Sequence, residues 1–321
     1  MPQTDLPDWM PDWLPAWCLD QLGAGPADLL FRVQQMSAVF GLRLADGRDV
    51  VVKARPDDGR VVPCVAAQSW LAERGFPCAR PLTPVAPVGQ LAVHAEQFRP
   101  GGEVLCGDTP DVAIRYAEVF ASLMAELAGA TLAPPLPSPH WVHWDHAQAG
   151  VWPAIAFLDG RDQSAVPGFV VDTARRVRQR LLAASLPRVL GHADFEAQNL
   201  RWHGHQVWAV HDWDSLAWQP EAALAGLASG AFASSGPPVL APIESSAAFL
   251  ATYQDLRGRR FTATEEQVAW AASLWLAAHN AREEALYDRT PLSGDSLRAQ
   301  VAERLRRAGI TPGARCPALP S

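Results

Sequence analysis

Residues 187–215 read PRVLGHADFEAQNLRWHGHQVWAVHDWDS, and the reading of this stretch decides the fold. Leu200-Arg201-Trp202 and Gln206 to Val210 have the apolar content and length of two short strands. His203-Gly204-His205 between them is a tight turn, with Gly204 free to take a positive φ. Three polar residues stand at the open end of this hairpin: Asp194, Asn199 five residues later, and Asp212 thirteen residues beyond that. A hairpin of this length returns its two ends to one place, so Asn199 and Asp212 are expected side by side. Two adjacent oxygen donors with a third carboxylate nearby suit a hard divalent cation such as Mg2+.

His192-Ala193-Asp194, then Asn199, then His211-Asp212-Trp213 resembles the catalytic core of the aminoglycoside phosphotransferase family, a small-molecule branch of the protein-kinase-like fold. Kinases pair a catalytic-loop Asp with an Asn at the same interval, followed by an Asp-led metal motif. The resemblance implies an α+β, two-lobed fold with a small antiparallel-sheet N-terminal lobe and a larger, mainly helical C-terminal lobe. It implies Asp194 as the catalytic base toward an acceptor hydroxyl. Asn199 and Asp212 would be the Mg2+ ligands on the phosphates of ATP or GTP, and His192 a structural residue of the loop. The chain departs from the family at Ala193 and Gln198, where Gly is usual. Glu196 stands where His or Lys is common; it could repel the transferring phosphate or contact a cationic acceptor.

Upstream, Leu29 to Val33, Ala38 to Leu44 and Asp49 to Ala54 read as three strands. The Asp46-Gly47 dipeptide marks the hairpin between the last two. Lys53 ends the run DVVVKA, placed as the phosphate-binding Lys of V-A-I-K is. By resemblance Lys53 reaches the nucleotide phosphates. The turn Val33 to Ser37 holds no glycine, although Ser37 could donate to a phosphate. The helix near Ala66 to Arg74 carries no acid where a partner for Lys53 is expected, since Cys64 to Gln68 are all uncharged and Glu73 is too close to the end at Gly75. Gln90 to Phe98 alternates as a strand, and Arg99-Pro100-Gly101-Gly102 then breaks it. This is read as the hinge, dividing a nucleotide-binding lobe (1–98) from a helical lobe (99–321). Glu96 and Phe98 are candidate adenine-edge residues by position.

The chain has 321 residues, of which 49% are hydrophobic and 19% charged, enough for a large core. A net charge of −7 argues against nucleic acid as a partner. It is compatible with a cationic small substrate and equally with solubility alone. Five scattered cysteines without a C-x2-C pair fit reduced thiols in a cytoplasmic protein. The start MPQTDLPDWMPDW lacks a basic region followed by an apolar run, so no signal peptide is expected. No apolar stretch approaches the ~20 residues of a membrane span. The partners implied are a nucleotide and a small-molecule acceptor, and nothing selects between monomer and dimer.

Trp9, Trp13 and Trp17 recur every fourth residue among prolines and are expected as broken turns lying on the first sheet. Thr109-Pro110-Asp111 starts a helix whose apolar face runs from Val112 to Leu127, and 133–139 is a proline-rich loop. His140, His143 and His146 could suggest a metal hydrolase, but Zn sites prefer i, i+4 pairs. An aromatic segment packed on the lower lobe, lining the acceptor cleft, fits better. Val171 to Ala184 is a helix with a solvated Arg cluster. Glu221 to Phe232 and Ser246 to Leu256 are helices. Thr264 to Gln267 is a capping box opening a long helix to about Asp288, and Ser296 to Ala308 is the last helix. A nucleotide-binding module without turnover is the alternative; the absent helix acid and the glycine-poor turn favour it, and the intact Asp194, Asn199 and Asp212 oppose it.

Overall fold

The computed structural model describes residues 9–34, 37–131, 136 and 138–311. The first eight residues, Gln35 and Met36 of the first turn, most of the 133–137 loop and Cys316 lie outside the described residues. The chain divides into one compact unit through Gly101 and a second from Gly102 onward.

The first unit is a helix on an antiparallel sheet. Helix α1 (Leu14–Leu22) is continuous, not a set of broken turns. Pro15 falls in its first turn, where the missing N–H bonds nothing anyway and the fixed φ suits a helix. Strands β1 (Pro26–Gln34), β2 (Ala38–Leu44), β3 (Asp49–Pro56), β4 (Ala86–Val88) and β5 (Leu91–Gln97) pair in the order β1-β2-β3-β5-β4. Phe40, Leu42, Val50, Val52 and Val93 point to one face and bury against Leu14, Trp17 and Cys18, with Trp13 packed on the cluster. Helix α2 (Val61–Glu73) precedes β4. The four residues after β5 stay with this unit: Phe98 packs on Phe31 at 5.9 Å, and Arg99 donates to the Cys78 carbonyl.

The second unit is mainly helical: α3 (Pro110–Ala128), the single-turn α4 (Ala156–Asp159), α5 (Gly168–Ala183), α6 (Glu221–Ala231), α7 (Ile243–Leu256), α8 (Ala263–Leu286) and α9 (Leu292–Arg307). Two antiparallel ribbons sit among them, β6 (Arg188–His192) with β9 (Leu216–Pro220) and β7 (Leu200–His203) with β8 (Gln206–Val210). The β6–β9 pair has no clear signature in the sequence. Helix α8 is buried over most of its circumference and forms the spine. Its capping box is Thr262 with Glu265, two residues before the expected position. The Thr264 reading has the right S/T-x-x-E/Q spacing but the wrong backbone: Thr262 is extended and Thr264 already helical.

Two buried arginines correct a purely solvated reading of the basic helices. Arg178 on α5 donates to the carbonyls of Trp144 and His146, tying down the 140–151 segment. Arg304 on α9 is fully buried and donates to the Ser246 and Ser273 hydroxyls and the Ala241 carbonyl. Met124 of α3 and Leu224 of α6 both pack against Gly191 of β6, so the strand leading to Asp194 is held by two helices.

At the α6–α8 crossing the backbones nearly touch. A Cβ on Gly226 would stand 2.1 Å from the Ala269 carbonyl oxygen, an overlap with main chain that no rotamer can relieve. Gly226→Ala is therefore expected to destabilise the chain by roughly 1–3 kcal/mol or more. Urea unfolding, read as a lower midpoint at unchanged slope, checks this.

Candidate active site

The second unit builds its site on the β7–β8 hairpin. Leu200 pairs with Val210 and His203 with Gln206, so the turn is Gly204-His205, and Gly204 has φ +58°. The ladder continues one step outward, where the His211 N–H donates to the Asn199 carbonyl at 2.8 Å. That bond places Asn199 beside Asp212. Asp212 itself takes a left-handed backbone, φ +63° and ψ +48°. Its conformation is held by Ser215, whose hydroxyl donates to Asp212 Oδ2 at 2.6 Å and whose N–H donates to the Asp212 carbonyl. Sequence reasoning missed Ser215, which reads as an ordinary turn serine.

His192 couples the two halves of the site. Its Nδ1 accepts the Asp194 N–H at 3.2 Å, which leaves the proton on Nε2, 3.1 Å from the His211 carbonyl. The ring is fully buried and lies edge-on to Phe195 and Trp213. Burial pushes it down to about 4, so it is neutral at physiological pH.

The Asn199 amide donates to both the main-chain oxygen and Oδ2 of Asp194, each at 2.9 Å. Asp194, Asn199 and Asp212 thus come together as a hydrogen-bonded group. Four carboxylates gather here, Asp194, Glu196, Asp212 and Asp214, and the first three are raised by burial and by the charges around them. Asp194 is pushed up to about 6 by burial first; hydrogen bonds from Asn199 and Asp212 pull it down, and the Asp214 charge opposes them. Asp212 is held well above the usual carboxylate range by burial, then by Asp214. Glu196 is raised by burial and by Asp194, and accepts a bond from Gln198. An excess of buried negative charge, with two hard oxygen-bearing side chains side by side, fits a divalent cation. No three His, Cys, Asp or Glu side chains form a metal cage among the described residues. Asp212 and Asn199 offer one carboxylate and one amide oxygen at the open end of the hairpin.

His140, His143 and His146 do not converge. His140 packs on Trp141, Phe157 and His279, while His146 Nε2 meets the Val151 carbonyl. Trp141 instead reaches the loop that carries Asp194, its indole N–H donating to the Ala193 carbonyl at 3.2 Å.

In the first unit Lys53 has a partner that the helix reading did not find. Its ammonium lies 2.9 Å from Glu96 Oε1, and Glu96 Oε2 accepts from Gln68 Nε2 at 2.8 Å. Lys53 sits opposite His94 in the β3–β5 register and Glu96 two residues along on the same face of β5. The acid therefore comes from the sheet, and α2 supplies the uncharged Gln68. Burial raises Glu96, but the attraction of Lys53 and the Gln68 bond outweigh it and hold the carboxyl below its ordinary range. This corrects the adenine-edge assignment of Glu96: its side chain is committed to Lys53. Its backbone is committed to the ladder, opposite Val51 on one side and Pro81 on the other. The Gln97 N–H is taken by the Arg80 carbonyl. Phe98 stacks on Phe31. Ser37 follows the turn between β1 and β2 and is half-buried.

No family model and no curated protein matches the chain. Solved structures do. An amicoumacin kinase in complex with AMP-PNP, Ca2+ and Ami superposes with a TM-score of 0.62 at 11% identity, covering 88% of this chain and 90% of that one. An aminoglycoside phosphotransferase in a ternary complex with ADP and hygromycin B gives 0.55 at 13% identity, over 93% and 99%. A further such phosphotransferase from Ralstonia eutropha JMP134, described as putative, gives 0.53 at 18% identity, over 92% and 95%. The chain has the two-lobed, protein-kinase-like fold of the aminoglycoside phosphotransferases and related small-molecule kinases.

Two stability measurements check the electrostatics. Asp212→Asn removes one buried charge from the carboxylate group. It is expected to raise the melting temperature of the metal-free protein at pH 7, by roughly 2–4 °C per kcal/mol relieved. A carboxyl raised in the folded state costs stability only above its unfolded value, so the gain should shrink as the pH falls toward 4. Glu96→Gln leaves Lys53 without its carboxylate and should cost roughly 1–3 kcal/mol. Glu96 is lowered in the folded state, so the wild-type advantage is complete above pH 4.5 and is lost as the pH falls further.

Proposed function

We propose that the protein is a small-molecule kinase that moves the γ-phosphoryl group of ATP or GTP to a hydroxyl of a small acceptor. The observation that carries this reading is the hydrogen-bonded Asp194, Asn199 and Asp212 group at the end of a β-ribbon, on a fold shared with phosphotransferases. In this reading the acceptor oxygen bonds to the γ-phosphorus as the bond to the leaving nucleoside diphosphate oxygen breaks. Asp194 takes the acceptor proton. Its value of about 6 suits a base working near neutral pH. Asn199 orients the Asp194 carboxylate through its amide N–H groups. Asn199 and Asp212 would hold Mg2+, which when bound would neutralise charge on the phosphates. His192 stays neutral and fixes the loop.

Lys53 binds nucleotide phosphates in the first unit, held in place by its ion pair with Glu96. Ser37 donates from the neighbouring turn, and Phe98 flanks the base. Adenine-edge contacts by Glu96 are not part of this reading. The Lys53–Glu96 pair removes one reason to favour a binding module without turnover, because the missing helix acid is replaced from β5.

Phosphoryl transfer from ATP and GTP to a panel of hydroxylated acceptors, with Mg2+ present, tests the reading. Asp194→Ala is expected to lower turnover by ~10²–10⁴-fold. The same variant should keep the wild-type melting-temperature rise on adding MgATP. Turnover unchanged in Asp194→Ala would take the base role away from this residue.

A further inference from the structure

The second unit carries buried polar atoms that the proposed reaction does not use. On α8, His279 and Arg282 lie three residues apart on one face, each about 2% exposed. Arg282 spends one nitrogen on Asp159 and Gln163. Its Nε and Nη1 have no hydrogen-bond partner, and neither ring nitrogen of His279 has one. Burial, reinforced by His140 and Arg282 and opposed by the nearby Asn280 side chain, which lies outside good hydrogen-bond geometry, keeps the His279 imidazole neutral, pushed down to about 3. It therefore offers one N–H donor and one acceptor. Buried donors left bare in this number are rare and costly, and call for an occupant.

The surroundings say what kind of occupant. Partly exposed rings stand against these two residues. Trp152 lies 5.2 Å from the Arg282 guanidinium carbon and 6.4 Å from the His279 ring. His140 lies 5.4 Å from His279 and 5.6 Å from Phe157, which is 49% exposed. The patch is joined to the catalytic loop by Trp141, the neighbour of His140, through its bond to the Ala193 carbonyl next to Asp194. Flat apolar walls suit an aryl face. The bare atoms beneath are donors except for one imidazole nitrogen, so their complement is an oxygen acceptor. A guanidinium hydrogen bond is strongest when that oxygen is charged. An ammonium group meets the Arg282 charge, which Asp159 offsets from one side, and the bare nitrogens themselves offer it a single acceptor.

We infer that the Trp152, Phe157, His140, His279 and Arg282 patch is the acceptor subsite, and that the acceptor is a hydroxylated aryl carboxylate rather than a polyamine. The inference rests on the kinase reading and narrows its substrate class. The carboxylate accepts from Arg282 and His279, the aryl face lies on Trp152 and Phe157, and the hydroxyl is directed to Asp194.

Isothermal titration of the full chain without nucleotide tests it with 3-phenyllactate, with phenylalaninol, which keeps the phenyl and a hydroxyl but carries an ammonium and no carboxylate, and with kanamycin as a polyamine. Phenyllactate is expected to bind about tenfold more tightly than phenylalaninol, the size of one charge-assisted hydrogen bond. Arg282→Gln should abolish that preference. Phe157→Ala, at an exposed position that leaves folding intact, should weaken both phenyl probes several-fold and leave kanamycin unmoved. Equal or reversed affinity of the phenyl pair, tighter binding of kanamycin, or no binding of either phenyl probe overturns the inference; the last means that ordered water alone fills the patch. The melting-temperature rise with MgATP, recorded in parallel, separates the two readings. A rise with MgATP but no phenyllactate binding sinks the subsite alone. Phenyllactate binding without any nucleotide response sinks the kinase reading.

Discussion

The site in the second unit depends on one imidazole. His192 accepts from the backbone of Asp194 and donates to the backbone of His211, so it fixes the loop that carries Asp194 relative to the turn that carries Asp212. Both bonds require the neutral ring with its proton on Nε2. Burial enforces that state more firmly than any partner could, because a charged ring would have to be desolvated among Phe195 and Trp213. A protonated ring would also lose the bond from Asp194, since Nδ1 would become a donor facing a donor. Order in the reactive loop is therefore tied to the apolar core around Tyr116, Phe120 and Phe195.

The hairpin was legible because its signals are local. Gly204 between two apolar runs defines a turn, and the turn defines which residues return to the open end. The long helices were legible for the same reason, each with an apolar face or a start signal. Boundaries slipped where a signal was ambiguous: Thr262 and Thr264 both stand three residues before Glu or Gln, and only backbone conformation separates them. Pro15 was read as a breaker although the first turn of a helix accepts it.

What the sequence did not reveal is tertiary. The partner of Lys53 was sought on a helix, by counting, and it lies on β5, forty-three positions away in the chain. Nothing in the local pattern distinguishes Glu96 from a hinge residue until the β3–β5 register is known. The β6–β9 ribbon was missed because five-residue strands are ordinary in composition and their pairing spans the whole catalytic stretch. The same holds for Trp141, whose indole meets the loop across fifty-two positions.

In protein kinases the phosphate-binding lysine is paired by a helix-borne glutamate, whose helix must be in position for the pair to form. Here both charges stand on adjacent strands of one sheet, cross-linked by main-chain ladder bonds. A displacement of α2 can withdraw Gln68 but cannot carry the acid away. The distance between the two charges is therefore set by strand pairing and does not vary with the seating of a helix.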